Sequence, residues 1–112
     1  MTIMTRVVAA AAAVSVSLVA LAAPAAADPD IDFANELRGF GIYGPRDYNA
    51  WLGKIACKRL DRGVDTDAYT SASFIERNLD PDTTPAQALQ FLGAAIGIYC
   101  PGQVGVLQNA AQ

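Results

Sequence analysis

The stretch Thr84–Gly102, TPAQALQFLGAAIGIYCPG, decides the fold of this chain. Thr84 suits a helix N-cap, Pro85 the first helical position, and Gln87 the place from which a side chain reaches back to close a capping box. Ala88, Leu89, Leu92, Ala95, Ile96, Tyr99 and Cys100 keep helical spacing, and Phe91 and Ile98 make the opposite flank apolar. A helix apolar on two sides must be covered on more than one. Gly93 and Gly97, four apart, are expected to form a small-residue strip where a neighbouring helix approaches closely.

Upstream, Met1–Arg6 is a short leader whose one charge is Arg6. An apolar run over residues 7–23 follows, and Pro24-Ala25-Ala26-Ala27 offers the small residues that a signal peptidase reads. The run is alanine-rich, interrupted by Ser15 and Ser17, and shorter than the about 20 strongly apolar residues of a membrane span. Residues 1–27 are therefore expected to be a cleaved secretory signal peptide. Residues 28–101 then form one small domain, and 102–112 a flexible or loosely docked tail anchored only by Val104, Val106 and Leu107.

Of the eight basic residues, Arg6 lies in the leader; the other seven face eleven acids, a formal charge of −4. That balance argues against nucleic acid, whose phosphates need a basic face. A core this small has little surplus stability and needs a staple. Cys57 and Cys100, the two cysteines, both fall in the exported part, where thiols oxidise, so a disulfide between them is expected. Two cysteines without histidine do not complete an ordinary zinc site, and no CxxC redox pair is present.

Between leader and final helix, three further helices are expected. Asp30 to about Arg38 places Ile31, Ala34 and Leu37 on one face, and Gly39 and Gly41 stop it. Phe40–Tyr43 is an apolar connector whose large side chains are expected to fold back onto the core. Gly44 as N-cap, Pro45 first and Asp47 in the first turn open the second helix, which ends near Arg62 before Gly63. It carries one stripe of Tyr48, Trp51, Leu52 and Ile55 and another of Gly53, Ala56, Cys57, Leu60 and Val64. A third, from about Asp67 to Asn78, is capped by Asp65 or Thr66 and is expected to bury Ala68, Ala72, Ile75 and Leu79, with Phe74 near that edge. Asp80-Pro81-Asp82 centres the turn before Thr84. Without alternating strand patterns or repeats, this is an all-α, small four-helix domain.

The chain has no histidine, which removes the usual neutral-pH base and every Ser-His-Asp or Cys-His arrangement. Asp28, Asp30 and Asp32, and Asp80 and Asp82, read as solvated acids near helix starts rather than a catalytic or calcium site. Lys54, Lys58 and Arg62 share a face at i, i+4, i+8, which reads as a solvated face complementing the helix dipole, the alternative being a strip that meets anionic lipid or a wall polymer. Arg59 is odd among them, because its spacing sends it toward an apolar stripe, to snorkel or to pair with an acid. Tyr48, Trp51, Arg59 and Tyr99 are the candidate lining of a pocket between the second and fourth helices.

The signal peptide, Phe33–Leu37 with Gly41-Ile42, Ala56-Cys57 with Leu60 and Gly63, and Ala95 with Tyr99-Cys100-Pro101 together resemble the small secreted actinobacterial proteins, mainly mycobacterial, grouped as domain of unknown function 732. The resemblance spans about residues 30 to 101. It implies a compact exported helical domain with a Cys57–Cys100 disulfide, and brings no catalytic residues. The function expected is an exported, non-enzymatic binding or interaction protein whose partner is a component of the envelope or host. The second reading is a carrier of a small apolar ligand such as a lipid, and the third a carboxylate enzyme. No cofactor and no metal are expected.

Overall fold

Residues 28–110 are described by a computed structural model as five α-helices: α1 (Pro29–Gly39), α2 (Arg46–Asp61), α3 (Ala68–Asn78), α4 (Pro85–Tyr99) and α5 (Val104–Ala110), with a 3-10 turn at Pro101–Gln103 between the last two. The signal peptide expected at 1–27 lies outside the described residues. No strand occurs among those described.

Helix α4 is the post of the domain and packs against α1, α2, α3 and α5. Its start is built as expected. The Thr84 backbone N–H donates to Gln87 Oε1 at 3.0 Å, and the Gln87 N–H donates to Thr84 Oγ1 at 3.1 Å. The same Gln87 donates through Nε2 to the carbonyl of Phe40 at 3.1 Å, which fastens the α1–α2 connector to the head of α4. The core is centred on Phe33, Leu37, Leu52, Ile75, Phe91, Leu92 and Ile96, all fully buried. The Phe33 ring stands edge-on to Phe91 and to Tyr99, with centroids 5.1 Å and 5.2 Å away, a favoured aromatic geometry. Cys57 of α2 and Cys100 at the end of α4 form the disulfide across a separation of 43 residues.

Four local expectations change. Pro45, in extended backbone, occupies the N-cap of α2, with Gly44 before it at φ +119°. Asp67 caps α3, accepting from the Thr70 N–H at 2.8 Å, which frees Asp65 to turn inward. The expected tail is instead the 3-10 turn and α5, making five helices where four were read. Val106, Leu107 and Ala110 lean on the core, and Gln103 Nε2 donates to Asp61 at 2.8 Å. Three apolar side chains at helical spacing suffice once a groove beside α3 and α4 exists to receive them.

The fourth change concerns the glycines. Gly97 faces open space, and at Gly93 an added Cβ would reach only Leu107, at 4.0 Å. The close approach is at Gly53 of α2, where a Cβ would meet the Phe33 ring at 3.0 Å and the Tyr99 ring at 3.2 Å. Phe33, wedged between Phe91 and Tyr99, has no room to yield. Gly97→Ala should therefore stabilise by about 0.5 kcal/mol through helix propensity. Gly53→Ala should destabilise by about 1 kcal/mol, because overpacking outweighs the same gain. Urea midpoints moving in opposite directions would check the pair; equal signs would refute this packing.

Candidate functional site

The four candidate residues do not converge on one pocket. Tyr99 is packed against Phe33, and its hydroxyl donates to Asp30 Oδ1 at 2.7 Å. Lys54 completes that cluster, 3.2 Å from Asp30 and 5.4 Å from the Tyr99 ring centroid. The space expected between α2 and α4 is filled by Phe33, which reaches Gly53 from α1.

The hydrogen bond from Tyr99, helped by Lys54, holds the Asp30 carboxyl below the usual carboxylate range. Burial and the neighbouring Asp30 charge push the Tyr99 hydroxyl well above the usual tyrosine range. Asp30 therefore contributes stability that is present above about pH 4, near the unfolded value, and lost as pH falls through its lowered value. Tyr99 contributes stability present below about pH 10, lost as pH rises further. Tyr99→Phe should cost about 1.5 kcal/mol, the range of a bond to a charged group. The gap to the parent protein should be flat between these limits and narrow outside both. A pH series of unfolding free energies checks this; a gap independent of pH would refute it.

Arg59 lies flat on the Phe74 ring, its guanidinium carbon 3.9 Å from the centroid. It grips Asp65 with two hydrogen bonds, Nε to Oδ2 at 2.8 Å and Nη2 to Oδ1 at 2.9 Å. Ser71 of α3 donates to the same carboxylate at 3.1 Å. The Asp65 side chain is 1% exposed and that of Arg59 28%, and the partnership raises the Arg59 pKa further. Arg59 is thus committed to holding α2, its following loop and α3 together. Arg59 pairs with an acid, one of the two outcomes expected of it, and that acid is Asp65, which the sequence offered as a cap for α3.

Tyr48 and Trp51 do stand together, on the outside of α2. Their rings are 5.8 Å apart. Tyr48 is 41% and Trp51 53% exposed, and the Tyr48 hydroxyl donates to the Asn78 carbonyl at 2.7 Å. Ile55, Lys58 and Arg62 continue that line. Nearby, the connector and the Asp80–Thr83 link enclose a shallow groove of about 310 Å³ that includes Tyr43, Leu79, Asp80, Asp82 and Gln87. Tyr43 is 71% exposed there, a surface residue that its apolar neighbours in sequence disguised as core.

Of the clustered acids, Asp30 is no solvated acid as expected, because Tyr99 and Lys54 reach it from two other helices; Asp28 and Asp80 act locally. Asp28 caps α1 by accepting from the Asp30 N–H at 2.9 Å, and Asp80 accepts from the Asp82 N–H at 3.1 Å. Among the described residues, no group of three His, Cys, Asp or Glu could hold a metal ion, and no helix is long and apolar enough to cross a membrane.

Two uncharacterized proteins from two strains of Mycobacterium tuberculosis are each 65% identical to this chain over 89 residues, covering 79% of it and 80% of their own length. No solved structure matches the chain. The family described as Protein of unknown function (DUF732) matches residues 27–102, the disulfide and all of α1 to α4 included, and the chain belongs to that family.

Proposed function

We propose that this is an exported, non-enzymatic binding protein of the cell envelope that presents the outer face of α2 to a partner. The observation that carries the reading is the exposed Tyr48–Trp51 pair. A domain this small needs its large apolar side chains in the core, yet it leaves its one tryptophan outside. Tryptophan and tyrosine are the side chains that most often anchor interfaces. The helix bearing them is braced on one side by the disulfide at Cys57 and on the other by the Arg59–Asp65 pair, so the face is ordered before it binds, which lowers the entropic cost of association.

The groups capable of acid-base work support the same reading. Asp30 is engaged by Tyr99 and Lys54, Asp65 by Arg59 and Ser71, and histidine is absent.

The test is sedimentation of the purified oxidised protein with the envelope fraction of its host. Trp51→Ser should lower the bound fraction about tenfold, as loss of an interface anchor does, while the helical circular dichroism stays unchanged. Equal binding of the variant, or no binding of the parent, would overturn the proposal. Export has its own readout: protein recovered from medium or envelope should begin at Asp28, and a cytosolic chain retaining Met1 would refute it.

A further inference from the structure

We infer that the outer face of α2 docks on an anionic lipid surface, with Trp51, Tyr48 and Ile55 seated at headgroup level and Lys58 and Arg62 against the lipid phosphates. The inference rests on the reading of that face just proposed and names its partner.

Tyr48, Trp51, Ile55, Lys58 and Arg62 recur at i, i+3, i+7, i+10 and i+14, which keeps them within one narrow stripe of a helix turning 3.6 residues at a time. All but Ile55 are exposed, and Ile55 is half-buried at the edge. The stripe carries no acid. Its neighbours Asp47 and Asp61 sit beside Arg46 at 3.4 Å and under Gln103 at 2.8 Å. Among the described residues, Lys58 and Arg62 make no ion pair, whereas Lys54, at the border of the stripe, is held by Asp30. An acidic chain, of net charge −3, therefore concentrates positive charge without an ion-pair partner among the described residues beside its exposed tryptophan.

Tryptophan and tyrosine next to lysine and arginine is the combination that settles at a membrane interface. The aromatic rings lie at the boundary between headgroups and acyl chains, and the basic side chains reach out to phosphates. The shape agrees. The stripe lies along a helix of 16 residues, about 24 Å long. The grooves described on the molecule are lined by other residues. A face outside those grooves suits a fluid planar surface.

Trp51 is the only tryptophan of the chain, so its fluorescence reports this face alone. The experiment mixes the oxidised protein with vesicles of phosphatidylglycerol and phosphatidylcholine, and with vesicles of phosphatidylcholine only. Expected are sedimentation with the anionic vesicles, at least tenfold weaker binding to the zwitterionic ones, and a blue shift of Trp51 emission. Lys58→Gln with Arg62→Gln should weaken partitioning about 25-fold, near fivefold for each basic residue at the surface, with thermal unfolding unchanged. Binding should also fall in high salt.

Equal binding to both vesicle types, or binding that ignores the double variant, would overturn the inference. So would charge-dependent binding without a Trp51 shift, which would mark a soluble polyanion as the partner. If vesicles fail while the envelope fraction still retains the protein through Trp51, the lipid assignment falls and the broader reading stands; if both fail, both fall.

Discussion

Replacing Cys57 and Cys100 together by serine is expected to lower the unfolding free energy by about 4 kcal/mol. The figure follows from the loop of 43 residues that the bond closes, whose extra freedom in the unfolded chain the chain-entropy treatment puts near that value. A domain of this size has about 5 to 10 kcal/mol in all, so the variant should be folded only marginally at 37 °C. The location sharpens the effect. The bond joins the C-terminal half of α2 to Cys100, the residue that caps α4, and the 3-10 turn and α5 leave from that same point. Without it, α5 should fray first, losing the contacts of Val106 and Leu107 before the four-helix core opens. Urea unfolding of oxidised parent, reduced parent and double variant checks this. Reduced parent and variant should coincide, and a loss below about 1 kcal/mol would refute the role assigned to the bond.

Arg59→Ala is expected to cost about 3 kcal/mol, because it strands the Asp65 carboxylate, 1% exposed, with only the Ser71 hydroxyl for company. The converse change should cost less. Asp65→Asn keeps the shape and leaves Arg59, 28% exposed and stacked on Phe74, able to meet water, so about 1.5 kcal/mol is expected. Replacing both, Arg59→Met with Asp65→Leu, should recover most of the loss, since an apolar pair of similar volume avoids the desolvation of two charges. Thermal or urea unfolding of the three variants gives the order. Equal losses for Arg59→Ala and Asp65→Asn would show that the asymmetry of burial does not govern this pair. Arg59 is thus a structural residue. The surface that remains for function is the next stripe round the helix, from Tyr48 to Arg62.

The capping box of Thr84 and Gln87, the apolar periodicity of α4 and the glycine and proline stops around it are local signals with a period of a few residues. They placed the helices to within one or two residues of their observed ends. The second stripe of α2 is buried at Gly53, Ala56, Cys57 and Leu60 as its period implied, but Val64, read as its last member, is exposed because the helix ends at Asp61 before reaching it. The first stripe split: Leu52 went into the core and Tyr48 and Trp51 stayed out. Periodicity names the faces of a helix, and its neighbours choose among them.

What the sequence by itself determined is the all-α class, four of the five helices, the family and the cysteine pair, because each depends on patterns carried along a single segment or on the oxidation of the two thiols present. The tertiary structure alone decided the rest. Gly53 rather than Gly93 or Gly97 is the point of close approach, since that depends on where the Phe33 ring of α1 comes to lie. Asp65 is buried because Arg59 and Ser71 arrive from two different helices to satisfy it. Residues 104–110 are helical because α3 and α4 together offer a groove. Trp51 is exposed for the same physical reason: burial is a property of what packs opposite, and nothing among the described residues packs opposite that face.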